Sequence, residues 1–464
     1  MKRVFCLAAA ALVALSGLTG TAARACTNIL VSKGASKDGS AIITYACDGR
    51  FLGRLQRRDA ADHPPGTMIP LYSWGGKVRG EIPQVAHTYA VVGLMNEHQL
   101  AISETTTTGR EELVNPDGLL HYFNLMEFAL ERAKTAREAI DVMVSLAAEH
   151  GYMSTAESFS IADPNEVWLM EMIGKGPGRK GTIWVAMRLP EGTISAYANG
   201  MRIRELPPAD PDRVRYAPDV VSFAIEKGYY DPASGKPFDF TAAYDAPTVQ
   251  SRRYTATREW SIFRRAAPSQ ADSFDPAYHR GEAGGRPYPL WIRPDEKLSV
   301  ADVMALMRDH YEGTEYDMTT GLDAGPYGTP NRWRPIAWEV DGQKYSWERP
   351  ISTPQTGFSF VSQSRSWLPD AIGGVYWYAV DDTWTNCYVP FYAGIDRLPR
   401  AWTLGALDRF SWDSAWWVFN LVANFANLKF SVMAPEIRAV QQELEGKFMA
   451  LQPAVEKVAA ELWT

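Results

Sequence analysis

Cys26 is the residue of this 464-residue chain whose type and position best suit covalent chemistry. It directly follows Ala23-Arg24-Ala25, a small-x-small pattern of the kind that signal peptidase cuts. Cleavage there would make a cysteine the first residue of the mature protein, so one residue would carry both a thiol and a free α-amine. Their ordinary pKa values are about 8.5 and about 7.7–8.0, which suits a nucleophile and its base. We therefore expect Cys26 to be the nucleophile of a hydrolase.

The residues before Cys26 have the organisation of an export signal. A positively charged start is followed by an apolar run over residues 4–18 and by small residues up to the cut. That run is shorter than the roughly 20 apolar residues that a membrane helix needs, and no later run reaches that length. We predict that residues 1–25 are removed and that the mature protein is exported, periplasmic or secreted, without an integral membrane segment. Lipidation of Cys26 is the alternative, although Arg24 stands where a lipoprotein signal has a small residue.

Charge and composition disfavour two classes of function. The chain has 47 Lys and Arg against 54 Asp and Glu, a net charge of -7. Removing residues 1–25, which contain three cations and no acid, would change this to -10. So acidic a protein is not expected to bind nucleic acid. There is no HExxH or CxxC pattern and the seven histidines are scattered, so the sequence does not support a metal site.

Two further cysteines remain in the mature chain besides Cys26. Cys47 and Cys387 could pair as a disulfide in an oxidising compartment, but their spacing does not show it. We expect two unpaired buried thiols instead.

Strand-like patterns surround Cys26 and recur along the chain. Apolar and polar residues alternate over 27–32 and 41–45, with a glycine-containing turn between them, which predicts a β-hairpin. Similar runs occupy residues 88–94, 100–106, 158–162, 167–173, 182–188, 194–198, 357–361 and 375–380. The hairpin would place Cys26 at the start of its first strand.

Amphipathic helices alternate with these strands. Helical periodicity is clearest over residues 124–149, and it recurs over 299–311 and, as a long charged C-terminal helix, over about 434–462. The region from about 207 to 298 is rich in Pro, Asp, Arg and aromatic residues, which indicates long loops and short helices. Strands mixed with amphipathic helices predict an α+β layered fold.

A series of short motifs runs through nearly the whole chain. They are Cys26-Thr27-Asn28-Ile29-Leu30-Val31, Ala35-Ser36-Lys37-Asp38-Gly39-Ser40, Gly93-Leu94-Met95-Asn96-Glu97, Ser103-Glu104-Thr105-Thr106-Thr107, Ser158-Phe159-Ser160-Ile161-Ala162-Asp163-Pro164, Ala198-Asn199-Gly200-Met201-Arg202-Ile203, Asp309-His310-Tyr311-Glu312-Gly313-Thr314 and Gly373-Gly374-Val375-Tyr376-Trp377. In this order they resemble the bacterial dipeptidase A type N-terminal-cysteine peptidases. These are relatives of the secernins within the N-terminal-nucleophile (Ntn) hydrolase superfamily.

The resemblance implies a fold and an activity. The fold would be an αββα Ntn-hydrolase sandwich, two stacked antiparallel sheets flanked by helices, with loop-rich and helical C-terminal additions. A single domain over residues 26–464 would hydrolyse dipeptides through a thioester on Cys26. The resemblance further implies that no metal or organic cofactor is required, and it allows a homo-oligomer because members of the family are often oligomeric.

The resemblance also supplies two partners for Cys26. Asp48 lies where related enzymes place a carboxylate that orients the new N-terminus, although a turn aspartate before Gly49 would look the same. Asn199 matches the family's Ala-Asn-x-x-Arg-Ile pattern, and its side-chain amide could stabilise the oxyanion formed when a carbonyl is attacked. An Asn-Gly pair is also an ordinary turn.

The predicted site also includes an arginine late in the chain, and it differs from the family pattern at one position. Arg258 resembles an arginine that assists the same site, with Arg252 and Arg253 as competitors and a surface ion pair as the alternative. Family members often have an arginine three residues before Asp48, where this chain has Tyr45. The role of that arginine is therefore lost or met differently here, which predicts a difference in activity or substrate range.

Three classes of function follow from these observations. The leading one is an exported dipeptidase, in which an arginine would bind the substrate carboxylate and Glu104 or Asp163 its ammonium group. The second is an N-terminal-cysteine amidase that acts on non-peptide amides, as bile-salt hydrolases and penicillin acylases do. The third is a lipid-anchored binding protein, in which Cys26 carries only the anchor.

Overall fold

A computed structural model describes residues 26–49, 51–73, 76–245, 247–331 and 337–463 of the chain. The predicted export signal, residues 1–25, lies outside the described residues.

The strands of the described chain form two large sheets and three two-stranded ones. In chain order they are β1 Asn28–Val31, β2 Ala41–Asp48, β3 Arg57–Arg58, β4 Ala61–Asp62, β5 Met68–Tyr72, β6 Val78–Pro83, β7 His87–Thr88, β8 Val91–Val92, β9 Met95–Asn96, β10 Ala101–Thr106, β11 Glu157–Ala162, β12 Val167–Gly174, β13 Thr182–Arg188, β14 Ile194–Tyr197, β15 Val214–Tyr216, β16 Ala337–Val340, β17 Gln343–Ser346, β18 Thr356–Ser364, β19 Val375–Val380 and β20 Val389–Tyr392.

Helices occupy much of the remaining chain. In chain order the α-helices are α1 Tyr122–Arg132, α2 Ala136–His150, α3 Val220–Glu226, α4 Phe240–Tyr244, α5 Val249–Ala266, α6 Pro276–His279, α7 Val300–Met307, α8 Asp370–Gly373, α9 Arg400–Thr403, α10 Ala415–Ala426 and α11 Phe430–Trp463. Short 3₁₀ turns lie at Lys33–Ala35, Glu111–Leu113, Pro232–Ser234, Pro268–Ser273 and Leu322–Ala324.

The two large sheets are antiparallel and stacked on one another. One has six strands in the order β14-β1-β2-β18-β19-β20, and the other has eight in the order β15-β13-β12-β11-β10-β9-β8-β3. β1 and β2 pack against β10 and β12 of the eight-stranded sheet. On β2, Ile43, Tyr45 and Cys47 belong to the core between the sheets, whereas Ile42 and Ala46 belong to the core on the opposite face. This alternation follows from the period of two in a strand.

Helices cover the outer face of each sheet. α1 and α2 pack on the eight-stranded sheet, and α5, α7 and α11 pack on the six-stranded sheet. The layers therefore run α-β-β-α, which confirms the predicted α+β sandwich.

Two sequence expectations near the site need correction in detail. The periodicity over residues 124–149 is divided between α1 and α2, because Ala133 is extended and Thr135 begins a new helix. The Thr135 side chain accepts a hydrogen bond from Glu138 N, and the Glu138 side chain caps Thr135 in return. Residues 88–94 do not form one strand, because Tyr89 N donates to Glu131 O and Ala90 N donates to the Glu97 side chain instead of to a neighbouring strand.

The helix that matters most to the site was not expected from the sequence. α5 spans 18 residues inside a region for which loops and short helices were predicted. Only a narrow set of apolar side chains, including Ala256, Ile262 and Phe263, packs in the core beneath it. Its many arginines obscure the periodicity by which a helix is predicted.

Candidate active site

Cys26 lies two residues before the start of β1, with its side chain in the core between the two sheets. An antiparallel bridge between Thr27 and Ala46 extends the β1–β2 pairing toward it. The carbonyl oxygen of Cys26 accepts hydrogen bonds from Arg258 Nη1 at 2.8 Å and from Thr105 Oγ1 at 3.3 Å. The main chain of the predicted nucleophile is thus fixed from a helix and from the opposite sheet.

The Cys26 thiol is 3% exposed and lies beside Tyr45 and Glu104. Sγ donates to the Tyr45 hydroxyl oxygen across 3.8 Å, and that hydroxyl donates to Glu104 Oε1. Burial, reinforced by a hydrogen bond with Cys47 and by the charge of Glu104, raises the pKa of the Cys26 thiol well above its usual range. The thiol is therefore protonated at neutral pH, and its attack on a carbonyl requires a base.

Arg258, on α5, is fully buried and joins Cys26 to the segment after β14. A guanidinium has five N–H donors, and all five of Arg258 are used within the protein. The acceptors are Tyr254 O at 3.0 Å, Cys26 O at 2.8 Å, Thr27 Oγ1 at 2.9 Å, Ala198 O at 3.1 Å and Asn199 Oδ1 at 2.8 Å. Burial, with the nearby charge of Arg349, lowers the pKa of Arg258 to about 10, so the group still carries its charge at neutral pH.

Asn199 follows β14 in the left-handed region, with φ of 64°. Asparagine tolerates this conformation better than most residues, and strained backbone of this kind is enriched at functional sites. Asn199 Nδ2 donates to Thr105 Oγ1 at 2.9 Å and to Thr106 O at 2.8 Å. Both amide hydrogens are therefore engaged, so a role as oxyanion donor requires one of them to turn from Thr105 or Thr106 to the substrate.

Asp48, at the end of β2, is 1% exposed and forms an ion pair with Arg349. Arg349 Nη2 donates to Oδ2 at 2.5 Å, and Thr356 Oγ1 donates to Oδ1 at 2.5 Å. Burial raises the pKa of Asp48 above its ordinary value, although Arg349 and Thr356 oppose the shift. For Arg349, burial disfavours the charge but Asp48 outweighs it, so its pKa lies above the ordinary value.

The structure thus brings Cys26, Asp48, Asn199 and Arg258 into one buried cluster of hydrogen bonds and charges. The competing arginines lie elsewhere: Arg253 pairs with Glu348, and Arg252 lies over the ring of Tyr278. These four predicted residues therefore occupy one site.

Two other sequence expectations have separate outcomes. Asp163 accepts hydrogen bonds from the backbone N–H groups of Ala136, at the start of α2, and of Asn165 and Glu166. Its carboxylate therefore stabilises the backbone there and is not part of the site. Cys47 and Cys387 are both free, buried thiols.

Arg349, Thr356 and Thr105 were missed by sequence reasoning. Arg349 precedes β18 and meets Asp48 across 301 sequence positions, and no local pattern marks such a pairing. Thr105 lies in a quoted motif, but only the stacking of the sheets shows that its hydroxyl reaches Cys26. The substitution at Tyr45 was the one available signal that a cation had to come from another part of the chain.

The described residues contain no group of three or more His, Cys, Asp or Glu side chains that could hold a metal ion. Within the same ranges, no helix has the length and apolar character needed to cross a membrane. A buried thiol, a carboxylate paired with an arginine, and an amide on strained backbone together suit nucleophilic attack on a carbonyl.

Comparisons with a family profile and with individual proteins point to the same family. The profile of peptidase family C69 matches residues 69–443, a range that begins after Cys26 and Asp48. A probable dipeptidase of Salmonella dublin is 29% identical over 397 residues, which cover 80% of this chain and 81% of that protein. A dipeptidase of Bifidobacterium longum is 24% identical, with 94% and 84% covered. Dipeptidase A of Lactobacillus helveticus is 23% identical, with 93% and 88% covered. These matches confirm the resemblance inferred from the motifs.

Proposed function

Because the chain belongs to peptidase family C69, we propose that it is an exported cysteine dipeptidase whose nucleophile is Cys26 at the mature N-terminus. The names of its relatives support the substrate class, since proteins similar over most of their length are described as dipeptidases. The observation that carries the proposed mechanism is that Arg258 hydrogen-bonds both Cys26 and Asn199, while the charge of Asp48 lies near enough to act on the Cys26 thiol.

The first step transfers a proton and forms a thioester. Since its pKa is raised, the Cys26 thiol does not supply a standing thiolate. Removal of residues 1–25 would free the α-amine of Cys26, whose ordinary pKa of about 7.7–8.0 suits a base at neutral pH. The amine takes the thiol proton as Sγ attacks the peptide carbonyl, and then gives it to the departing amino group. Water hydrolyses the thioester and releases the second amino acid.

Asp48 and Asn199 have distinct tasks in this scheme. Each Asp48 oxygen accepts one hydrogen bond, from Arg349 or Thr356, and a carboxylate has about four acceptor sites. Asp48 can therefore also accept from the new α-ammonium and hold it beside Sγ. Asn199 would turn one amide hydrogen to the oxyanion, an interaction typically worth about 3–4 kcal/mol of barrier.

Export is the remaining element of the proposal. It rests on the pattern of residues 1–25 and on the chemical need for a free α-amine at Cys26. The same cleavage would deliver the protein outside the cytoplasm and create its base. An uncleaved chain would then fold without activity.

The test compares defined N-termini on a panel of dipeptides. Mature protein whose N-terminus is verified as Cys26 should release amino acids, whereas Cys26→Ala and a Met-extended form should not, although both remain folded by circular dichroism. Cys387→Ala, which removes a buried thiol outside the site, is the matched control and should retain activity. Equal activity of the extended form would refute the α-amine as base.

The panel also includes non-peptide amides. Cleavage of conjugated bile acids or acylated lactams, with no release from any dipeptide, would exclude the dipeptidase and identify an amidase that uses the same nucleophile.

A further inference from the structure

We propose that Cys47 is a resolving thiol for Cys26, and that a hydroperoxide converts the pair into a reversible disulfide that stops the enzyme. The effect on activity rests on the proposed role of Cys26, whereas the disulfide itself does not. The pair is a modification site built into the first hairpin of the fold.

Strand geometry places the two cysteines opposite one another. Thr27 pairs with Ala46 in antiparallel fashion, and Ala46 N donates to Thr27 O at 3.0 Å. The same register, continued by one residue beyond this bridge, places Cys26 opposite Cys47. Residues directly opposite in an antiparallel pair have Cα atoms about 4.5–5.5 Å apart, and disulfides join Cα atoms about 4.4–6.8 Å apart.

The two side chains also point the same way. Cys26 and Cys47 both belong to the core between the sheets, where they are 3% and 5% exposed. The Cys47 side chain is a hydrogen-bond neighbour of the Cys26 thiol. A disulfide between them therefore requires little backbone movement.

The third cysteine of the described chain lies in different surroundings. Cys387 follows β19, and its thiol contacts Tyr388 O at 3.9 Å. Besides burial, the charges of Glu445, on α11, and of Arg308 act on the pKa of this thiol. Cys387 is thus absent from the hydrogen bonds around Cys26, which leaves Cys47 as the partner.

The chemistry balances with a hydroperoxide as the oxidant. The Cys26 thiol gives up its proton as Sγ attacks one peroxide oxygen, the O–O bond breaks, and the leaving oxygen takes up a proton to become water when the oxidant is hydrogen peroxide. Cys26 is then a sulfenic acid. The Cys47 sulfur gives up its proton and attacks the Cys26 sulfur, the S–O bond breaks, and a second water leaves. Two thiols thus supply the two electrons that reduce the peroxide.

Cys47 would protect the nucleophile by this route. A sulfenic acid without a nearby thiol is oxidised further to a sulfinic acid, which is irreversible for most proteins. A disulfide is returned to two thiols by a dithiol. An exported enzyme meets oxidants, so an adjacent thiol preserves a nucleophile that would otherwise be lost.

The experiment treats the mature protein with hydrogen peroxide and follows activity and covalent state together. Activity should fall by at least about tenfold because the disulfide occupies the sulfur that attacks the substrate, and dithiothreitol should restore it. Peptide mapping without reductant should find the Cys26 and Cys47 peptides linked. Cys47→Ala should lose activity in a form that dithiothreitol does not restore, with sulfinic acid on Cys26, whereas Cys387→Ala should behave as the parent protein.

Several outcomes would overturn the proposal. They are a linkage of Cys26 to Cys387 or to another molecule, sulfinic acid on Cys26 of the parent protein with no linkage, and full recovery of Cys47→Ala. A Cys26–Cys47 linkage without loss of activity would support the modification and refute Cys26 as nucleophile. Because mapping needs no substituted protein, the test stands even if Cys47→Ala does not fold.

Discussion

Arg258→Lys is the substitution that best tests how the site is held together. It keeps the positive charge but replaces five fixed N–H donors by at most three on a shorter group. All five donors of Arg258 bind protein oxygens, and two of those acceptors are Cys26 O and Asn199 Oδ1. At least two of these five acceptors therefore lose their hydrogen bond to residue 258 in the variant.

The expected magnitudes follow from these contacts. A hydrogen bond that involves a charged group contributes about 1.5–3 kcal/mol, so losing two should lower the free energy of unfolding by about 3–6 kcal/mol. Displacement of Cys26 and Asn199 should lower kcat by about 10²-fold, the usual cost of a misplacement near 1 Å. KM should change little, because no N–H of Arg258 is left to bind substrate.

The assay combines urea unfolding with steady-state dipeptide hydrolysis. Arg253→Lys is the matched control, since Arg253 lies on the same helix with its side chain 26% exposed and in one ion pair, with Glu348. That variant should lose no more than about 1 kcal/mol. Wild-type kcat and stability in Arg258→Lys would refute the reasoning, and a raised KM with unchanged kcat would instead make Arg258 a substrate-binding residue.

Three further predictions concern the groups around this cluster. Arg349→Ala should lower the free energy of unfolding by about 3–5 kcal/mol, because Asp48 is left buried without its cation, and adding Asp48→Asn should recover part of the loss in urea unfolding. Tyr45→Phe removes the acceptor of the Cys26 thiol and the donor to Glu104, so kcat should fall by roughly tenfold at unchanged KM, and an unaltered kcat would exclude Tyr45 from positioning Sγ. Burial raises the pKa of Glu171 from 4.5 to about 8, so the folded protein binds a proton that the unfolded chain releases, and stability should fall between about pH 5 and pH 8. Glu171→Gln should reduce that slope, and an equal slope in both proteins, measured as urea midpoints against pH, would show that another group titrates.

Local patterns predicted the parts of the fold that depend on neighbouring residues. The hairpin that follows Cys26 was visible because strand alternation and turn residues are short-range signals, and strands such as β13 and β19 have the predicted bounds. α5 was missed because several of its positions hold arginines that form polar contacts, such as Arg253 and Arg258. These arginines interrupt the regular stripe of apolar residues by which a helix is predicted. Amphipathic periodicity depends on the spacing of buried apolar residues, so it does not predict a helix whose main contacts are made by charged side chains.

The candidate site likewise contains residues that local sequence predicted and residues that it did not. Cys26 and Asp48 lie on one hairpin, and a motif led to Asn199, whereas Arg349 meets Asp48 only through the tertiary fold. A spacing rule cannot predict such a contact, because two side chains from distant segments become neighbours only after the sheets have formed. Hydroxyl contacts such as that of Thr105 have still less sequence signal, since threonine is common in strands for other reasons.

The residue at position 45 explains how these contacts fit together. An arginine there would place a positive charge beside the Cys26 thiol and would favour its thiolate. Tyr45 is neutral and donates to Glu104, while the cation that neutralises Asp48 comes from Arg349 instead. Burial, with the hydrogen bond to Cys47 and the charge of Glu104, raises the pKa of the Cys26 thiol, and no cation at position 45 opposes that shift. Activation then depends on a base that must itself be delivered to the site, and in the proposed mechanism only cleavage before Cys26 delivers it. Under the proposed mechanism, the exchange of arginine for tyrosine would make activity depend more strongly on maturation, because the uncleaved chain would lack both the base and the charge that could replace it.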